Sequence, residues 1–126
     1  MTKEEALRIQ FEKAVSRLKE VLEMEKNEVV RDSAIQRFEM SFDLSWKLVK
    51  EFLENRKGVV CSSPKDCFRA AFKHGLIDYE DSWISITDTR NYTVHAYSEA
   101  FAEKVYKELP NILKKFESLL EKVKQS

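Results

Sequence analysis

Glycine and proline are nearly missing from this chain, with two of each among 126 residues. Sheet proteins need Gly, Asn and Pro in the turns between strands, so this scarcity of breakers excludes a many-stranded fold and favours long helices. No apolar run approaches the ~20 residues that a membrane-spanning helix requires. The opening residues, MTKEEALRIQ, mix both signs of charge and contain no apolar core segment, so no secretory leader is expected and the cytoplasm is the expected compartment. Low-complexity tracts, linkers and internal repeats are also missing. So is net charge: 22 Lys and Arg balance 22 Asp and Glu. Proteins that hold nucleic acid by bulk electrostatics are basic, so any such role here must rest on a local patch or a built site. The two cysteines, Cys61 and Cys67, lie six apart and have no second pair of ligands, which excludes the usual zinc patterns. In a cytosolic protein they are expected as reduced thiols, with at least one packed in the core.

What is present is amphipathic helix. Charged residues make up 35% of the chain and apolar ones 43%, enough in 126 residues for one domain, 1–126, with a real core. Over 2–25, Leu7, Phe11, Ala14, Leu18 and Val21 alternate steps of four and three, the seam of a packed helix. Over 30–56 the seam is Ile35, Phe38, Phe42, Trp46, Val49 and Leu53. A second stripe of Met40, Leu44, Leu48 and Phe52 marks this helix as central in a bundle or shared with another subunit. Gly58 ends it. Ser63, Pro64 and Asp66 then supply an N-cap, a first-turn proline and an acidic third position for a short helix that stops at Gly75. Asp78 with Asp81 is a plausible cap for a helix through Trp83 and Ile86. Propensity falls over 87–95, which is rich in Thr, Asp, Asn and His. Helical character resumes over 96–108, and Pro110 fits the first turn of a last helix carrying Ile112, Leu113, Phe116, Leu119, Leu120 and Val123. The expected fold is all-α, a bundle of five to six helices.

The weak fourth segment also holds the most reactive grouping. Arg90-Asn91-Tyr92-Thr93-Val94-His95-Ala96-Tyr97 collects a guanidinium, an amide, an imidazole and a phenol within eight residues. Imidazole suits proton transfer near neutrality, its ordinary pKa being ~6.5. A guanidinium grips phosphate through a planar fork and steadies charge developing on it. Together they fit RNA cleavage by the substrate's own 2′-hydroxyl, without a metal. Arg90 and His95 are five apart, so on a regular helix they diverge by about 140°. Asn91 and His95 share a face, as nearly do Arg90 and Tyr97. Either the helix is irregular here or a second subunit completes the site; the favoured expectation combines the two at a two-fold interface.

This R-N-x3-H-x-Y element on a late helix resembles the defining motif of the HEPN ribonucleases, in the form found in HepT-type toxins. The stretch RDSAIQRFE at 31–39, followed by LSWK at 44–47, resembles the second helix of proteins described as nucleotidyltransferase substrate-binding. Ser63-Pro64, FRAAF at 68–72 and GLI at 75–77 are also family-like, so the likeness runs from the first helix to about Pro110. It implies a homodimeric helical toxin, a metal-independent endoribonuclease needing no cofactor and leaving 2′,3′-cyclic phosphate and 5′-hydroxyl ends. It implies a separate minimal nucleotidyltransferase as antitoxin partner. By the same resemblance Arg90 and His95 are catalytic, Asn91 supports them, and Tyr97 is the tyrosine that the partner modifies with AMP. Two other functions fit the same features: a non-catalytic substrate-binding subunit of a two-component nucleotidyltransferase, and a purely structural dimerising bundle.

Plainer roles are expected elsewhere. His74 sits in the last turn of a short helix, where it suits the helix dipole. Arg31, Asp32, Arg37 and Glu39, at helical spacing, read as a solvated or ion-paired face. Trp46 and Trp83 read as core or dimer-interface aromatics.

Overall fold

The apolar seams become the buried faces of helices. The computed structural model describes residues 1–95 and 97–126. Among these the chain forms five α-helices and no strand: α1 Lys3–Leu22, α2 Glu28–Lys57, α3 Pro64–Lys73, α4 Glu80–His95 and α5 Glu99–Gln125. Side-chain caps set several starts. Thr2 Oγ1 accepts from the Glu5 amide at 3.1 Å, Asn27 Oδ1 from Val30 at 2.8 Å and Ser98 Oγ from Phe101 at 3.2 Å. Asn27 starts α2 two residues earlier than its apolar seam suggests. Ser63 caps α3 with Pro64 in its first turn, as expected. At the far end of α3, Gly75 takes φ 75°, and the Leu76 and Gly75 amides turn back to the carbonyls of Ala71 and Phe72. That paired turn needs the left-handed backbone glycine adopts at no steric cost. His74 is the C-cap residue.

Helix α2 is the axis of the bundle, packing against α1, α3, α4 and α5. Its first stripe is buried apart from the half-buried Trp46, as is the Leu48–Phe52 end of its second, while Met40 remains 48% exposed. Aromatic rings tie the layers together. Phe38 and Phe42 of α2, Phe68 of α3, Trp83 of α4 and Phe116 of α5 form a closed circuit with centroids 4.6–6.5 Å apart, and Phe11 of α1 meets Phe116 edge-on at 5.8 Å. Phe116 touches three other rings, so Phe116→Ala is expected to destabilise the fold by about 3–5 kcal/mol. A urea denaturation midpoint unchanged in that variant would show that the circuit is not the core.

Three expectations are corrected. Pro110 starts no helix: α5 runs unbroken through it, because Ala102, Val105, Leu109, Ile112, Phe116, Leu119 and Val123 make one continuous buried stripe. The ring stands on the exposed side, where the carbonyl left without its donor can be hydrated. Nor is α4 broken over 87–95. Its threonine hydroxyls fold back onto helix carbonyls (Thr87 to Trp83 at 2.8 Å, Thr89 to Ser85 at 3.0 Å), and burial of Trp83, Ile86 and Thr87 outweighs weak propensity. Finally, Cys61 and Cys67 are not free thiols but a disulfide, both buried. The Ser63 cap turns the chain so that their Cα atoms stand 5.2 Å apart, within bonding range. Ala96, where helical character is expected to resume, lies outside the described residues, and α5 begins at Glu99.

Candidate functional site

Two polar clusters sit along α2, and the α4–α5 corner is laid across both. The first is built on Asp43. Its carboxylate takes Arg90 Nη2 at 2.5 Å, while Arg90 Nη1 donates to Asn91 Oδ1 at 3.3 Å. The guanidinium lies over the Phe42 ring, 5.6 Å from its centroid, and Arg90 Nε is buried without a hydrogen-bond partner among the described residues. Arg90 is thus held by charge, amide and aromatic face while staying 26% exposed along its side chain. One turn back on α2, Glu39 accepts from the Thr93 hydroxyl at 2.7 Å. Asp43 and Glu39 therefore fix the register of α4 against α2.

The second cluster is built on Arg31. Only 2% exposed, its guanidinium reaches Glu99 at 2.7 Å, Glu103 at 3.1 Å and Asp32 at 3.1 Å, and donates to the Tyr97 hydroxyl at 3.4 Å. The Tyr97 hydroxyl in turn donates to the Asp32 carboxylate. Tyr97 is 54% exposed, so its ring edge faces solvent while its oxygen is tethered. Donation to Asp32, with some burial, raises the Tyr97 pKa. The Tyr97 hydrogen bond and the Arg31 guanidinium hold Asp32 below the usual carboxylate range, and Lys26 and Arg31 do the same for Glu103. The linkage has a definite sign. Carboxyls with depressed folded pKa values favour the folded state fully above their ordinary pKa of about 4, and lose that contribution as pH falls through the depressed values. A raised tyrosine favours it below about pH 10 and loses that contribution as pH rises through the folded value. The stability difference between the native chain and Asp32→Asn is therefore expected to be greatest near about pH 7 and to shrink toward about pH 2. Denaturation midpoints that differ equally at both ends would count against this network.

The four motif residues do not converge within one copy. Arg90 and Asn91 meet; His95, the last residue of α4, is exposed and makes no side-chain hydrogen bond among the described residues. Because α4 is regular through His95, Arg90 and His95 point about 140° apart. Tyr97 lies beyond the helix end and does not share the Arg90 face; it reaches back to the start of α2. Arg31, expected on a solvated or ion-paired face, is ion-paired but buried. Arg31, Ala34, Ile35, Phe38 and Phe42 follow one helical seam, and that spacing is the signal for its burial. Asp43, 47 residues from Arg90, carries no comparable local signal.

Known proteins bear on this arrangement. A family model described as nucleotidyltransferase substrate binding protein like matches residues 8–125. A probable ribonuclease HepT from Haemophilus influenzae is 34% identical over 96 residues, covering 73% of this chain and 66% of that relative's length. A crystal structure from Thermus thermophilus superposes with a TM-score of 0.83 at 35% identity, over 88% of this chain and 96% of that one. A Shewanella oneidensis HEPN toxin, tri-AMPylated and in complex with an MNT antitoxin, shares the fold over the whole of both chains, with a TM-score of 0.81 and 17% identity. The chain belongs to the HepT-like family of nucleotidyltransferase substrate-binding proteins.

Proposed function

We propose that this chain is the ribonuclease toxin of a HEPN/MNT toxin–antitoxin pair and cuts RNA without a metal. The observation that carries the reading is the state of Arg90: a guanidinium anchored through Asp43, Asn91 and Phe42 while its side chain stays 26% exposed. Nη1 and Nη2 each have one N–H engaged among the described residues, which leaves their second hydrogens to meet a phosphate.

Since Arg90 and His95 diverge on one helix, the active form is a homodimer in which two-fold symmetry brings two Arg90–His95 sets to one cleft. There the 2′-oxygen attacks the adjacent phosphorus as a His95 imidazole takes its proton. The bond to the 5′-oxygen breaks, and the leaving oxygen receives a proton from an acidic partner such as the second His95 in its protonated form. Arg90 steadies the charge on the phosphoryl oxygens, and Asn91 keeps Arg90 in place. The products are a 2′,3′-cyclic phosphate and a 5′-hydroxyl.

The partner is a minimal nucleotidyltransferase, as in the Shewanella complex, and Tyr97 is the acceptor of its AMP groups. Phosphates added at Tyr97 would stand beside the cleft and repel RNA. The test is incubation of total RNA with purified protein in excess EDTA, followed by end-group analysis. Cleavage leaving cyclic phosphate is expected; intact RNA would end the ribonuclease reading. The family model's description keeps one other reading in view, a subunit that presents substrate to the nucleotidyltransferase and has no activity of its own. Cleavage by the isolated chain separates the two.

A further inference from the structure

The neutral composition conceals an unbalanced surface. Many cations in this chain face a carboxylate, as Lys26, Arg31, Arg56, Lys65, Arg90, Lys122 and Lys124 do. Four others are in no ion pair among the described residues and line one groove between α1 and α2: Lys13, Arg17, Arg37 and Lys47. The helical register explains the grouping. Lys13 and Arg17 are one turn, about 6 Å, apart on α1, and Arg37, Leu44 and Lys47 follow a single face of α2 over about 15 Å, so two pairs of like charge line opposite walls. Ala14, Met40 and Leu44 add apolar surface between them. Among the described residues, the one carboxylate lining this stretch of the groove is Asp43, whose charge is already met by Arg90. A second hollow sharing Lys13, Arg17 and Arg37, and lined also by Glu20, extends the groove toward the start of α2.

We propose that this groove carries the phosphodiester backbone of single-stranded RNA to the Arg90 site, an inference that rests on the ribonuclease reading above. Cations with apolar surface between them fit a strand whose phosphates and bases alternate, and charge complementarity selects a polyanion. A second copy of the chain is a poor occupant, since a two-fold contact here would set like charges against each other. Asp43 joins the two regions, because the same carboxylate lines the groove and holds Arg90. A strand following the groove therefore arrives at the guanidinium.

The experiment uses the His95→Ala protein, to keep the probe intact, and a fluorescein-labelled single-stranded RNA of mixed sequence. Anisotropy is read across a salt series, with and without the changes Lys13→Ala, Arg17→Ala, Arg37→Ala and Lys47→Ala. Removing four phosphate contacts is expected to weaken binding by at least about tenfold and to flatten the log–log salt slope by about 0.7 per contact. Because Arg37 is half-buried, a second variant, Lys13→Glu with Arg17→Glu, changes only exposed positions and is expected to weaken binding likewise. Unchanged affinity and slope in both variants would overturn the proposal. Unchanged RNA affinity with an altered oligomeric state would also overturn it, and make the groove a protein interface. If the native chain leaves RNA whole while the His95→Ala protein binds it through these four residues, the groove stands and the ribonuclease reading falls.

Discussion

His95→Ala is expected to lower the rate of RNA cleavage by about 10²–10⁴-fold, the range over which a positioned proton-transfer group acts. The reason lies in the chemistry of the 2′-hydroxyl, which is a weak nucleophile until a base takes its proton. Imidazole is the side chain whose ordinary pKa suits that transfer near neutral pH. His95 is exposed at the end of α4, so its removal should change stability by no more than about 0.5 kcal/mol, and lost cleavage would not be unfolding in disguise. The chain supplies its own control in His74, its other histidine, which terminates α3. His74→Ala should cut RNA at the native rate. Gel-resolved cleavage of a defined RNA, with melting temperatures alongside, checks both. Native activity in the His95 variant would remove it from the mechanism.

Arg90→Ala is expected to cost about 10²–10³-fold, comparable to deleting one preorganised donor that meets developing negative charge. Arg90→Lys should recover little, because an ammonium cannot hold Asp43 and Asn91 while offering a further planar pair of donors to phosphate. A structural explanation must be kept apart from the chemical one, since Arg90 also pins α4 to α2. Asp43→Asn separates them: it removes the charge that anchors Arg90 and preserves a hydrogen-bond acceptor. If Arg90 acts on the phosphate, Asp43→Asn should reduce kcat by less than about tenfold, well short of the Arg90→Ala loss. Equal losses in the two variants would reduce Arg90 to a clamp between helices.

Much of the fold is legible because its seams are regular. Leu18 and Val21 in α1, Phe38 and Phe42 in α2, and Phe116 and Val123 in α5 stand at helical spacing and are buried as that spacing predicts. Expectation and structure part where a local rule meets tertiary packing. Pro110 is a helix-starting residue by propensity, yet the stripe on either side of it is one buried face, and packing keeps the helix whole. The threonine-rich stretch of α4 looks like a break because propensity cannot register a hydroxyl that folds back on its own helix, or the hold of Asp43 from a distant one. Compartment argues for free thiols at the cysteine pair, whereas the cap at Ser63 sets its geometry. At the candidate site, motif spacing points to Arg90, His95 and Tyr97. It does not reveal that α2 furnishes the groups holding two of them, since those contacts span 47 to 66 residues.

That arrangement makes α2 a ruler. Asp32, which tethers Tyr97, and Asp43, which tethers Arg90, are marks on one rigid rod about 16 Å apart. One residue inserted between them would rotate the second mark by about 100° and advance it by about 1.5 Å. The α4–α5 corner could then engage one mark or the other, but not both. The span from Asp32 to Asp43 is therefore fixed in length even though much of its surface is free to change. A chain that kept every motif residue but gained or lost one position there would keep the letters of the site and lose its measure.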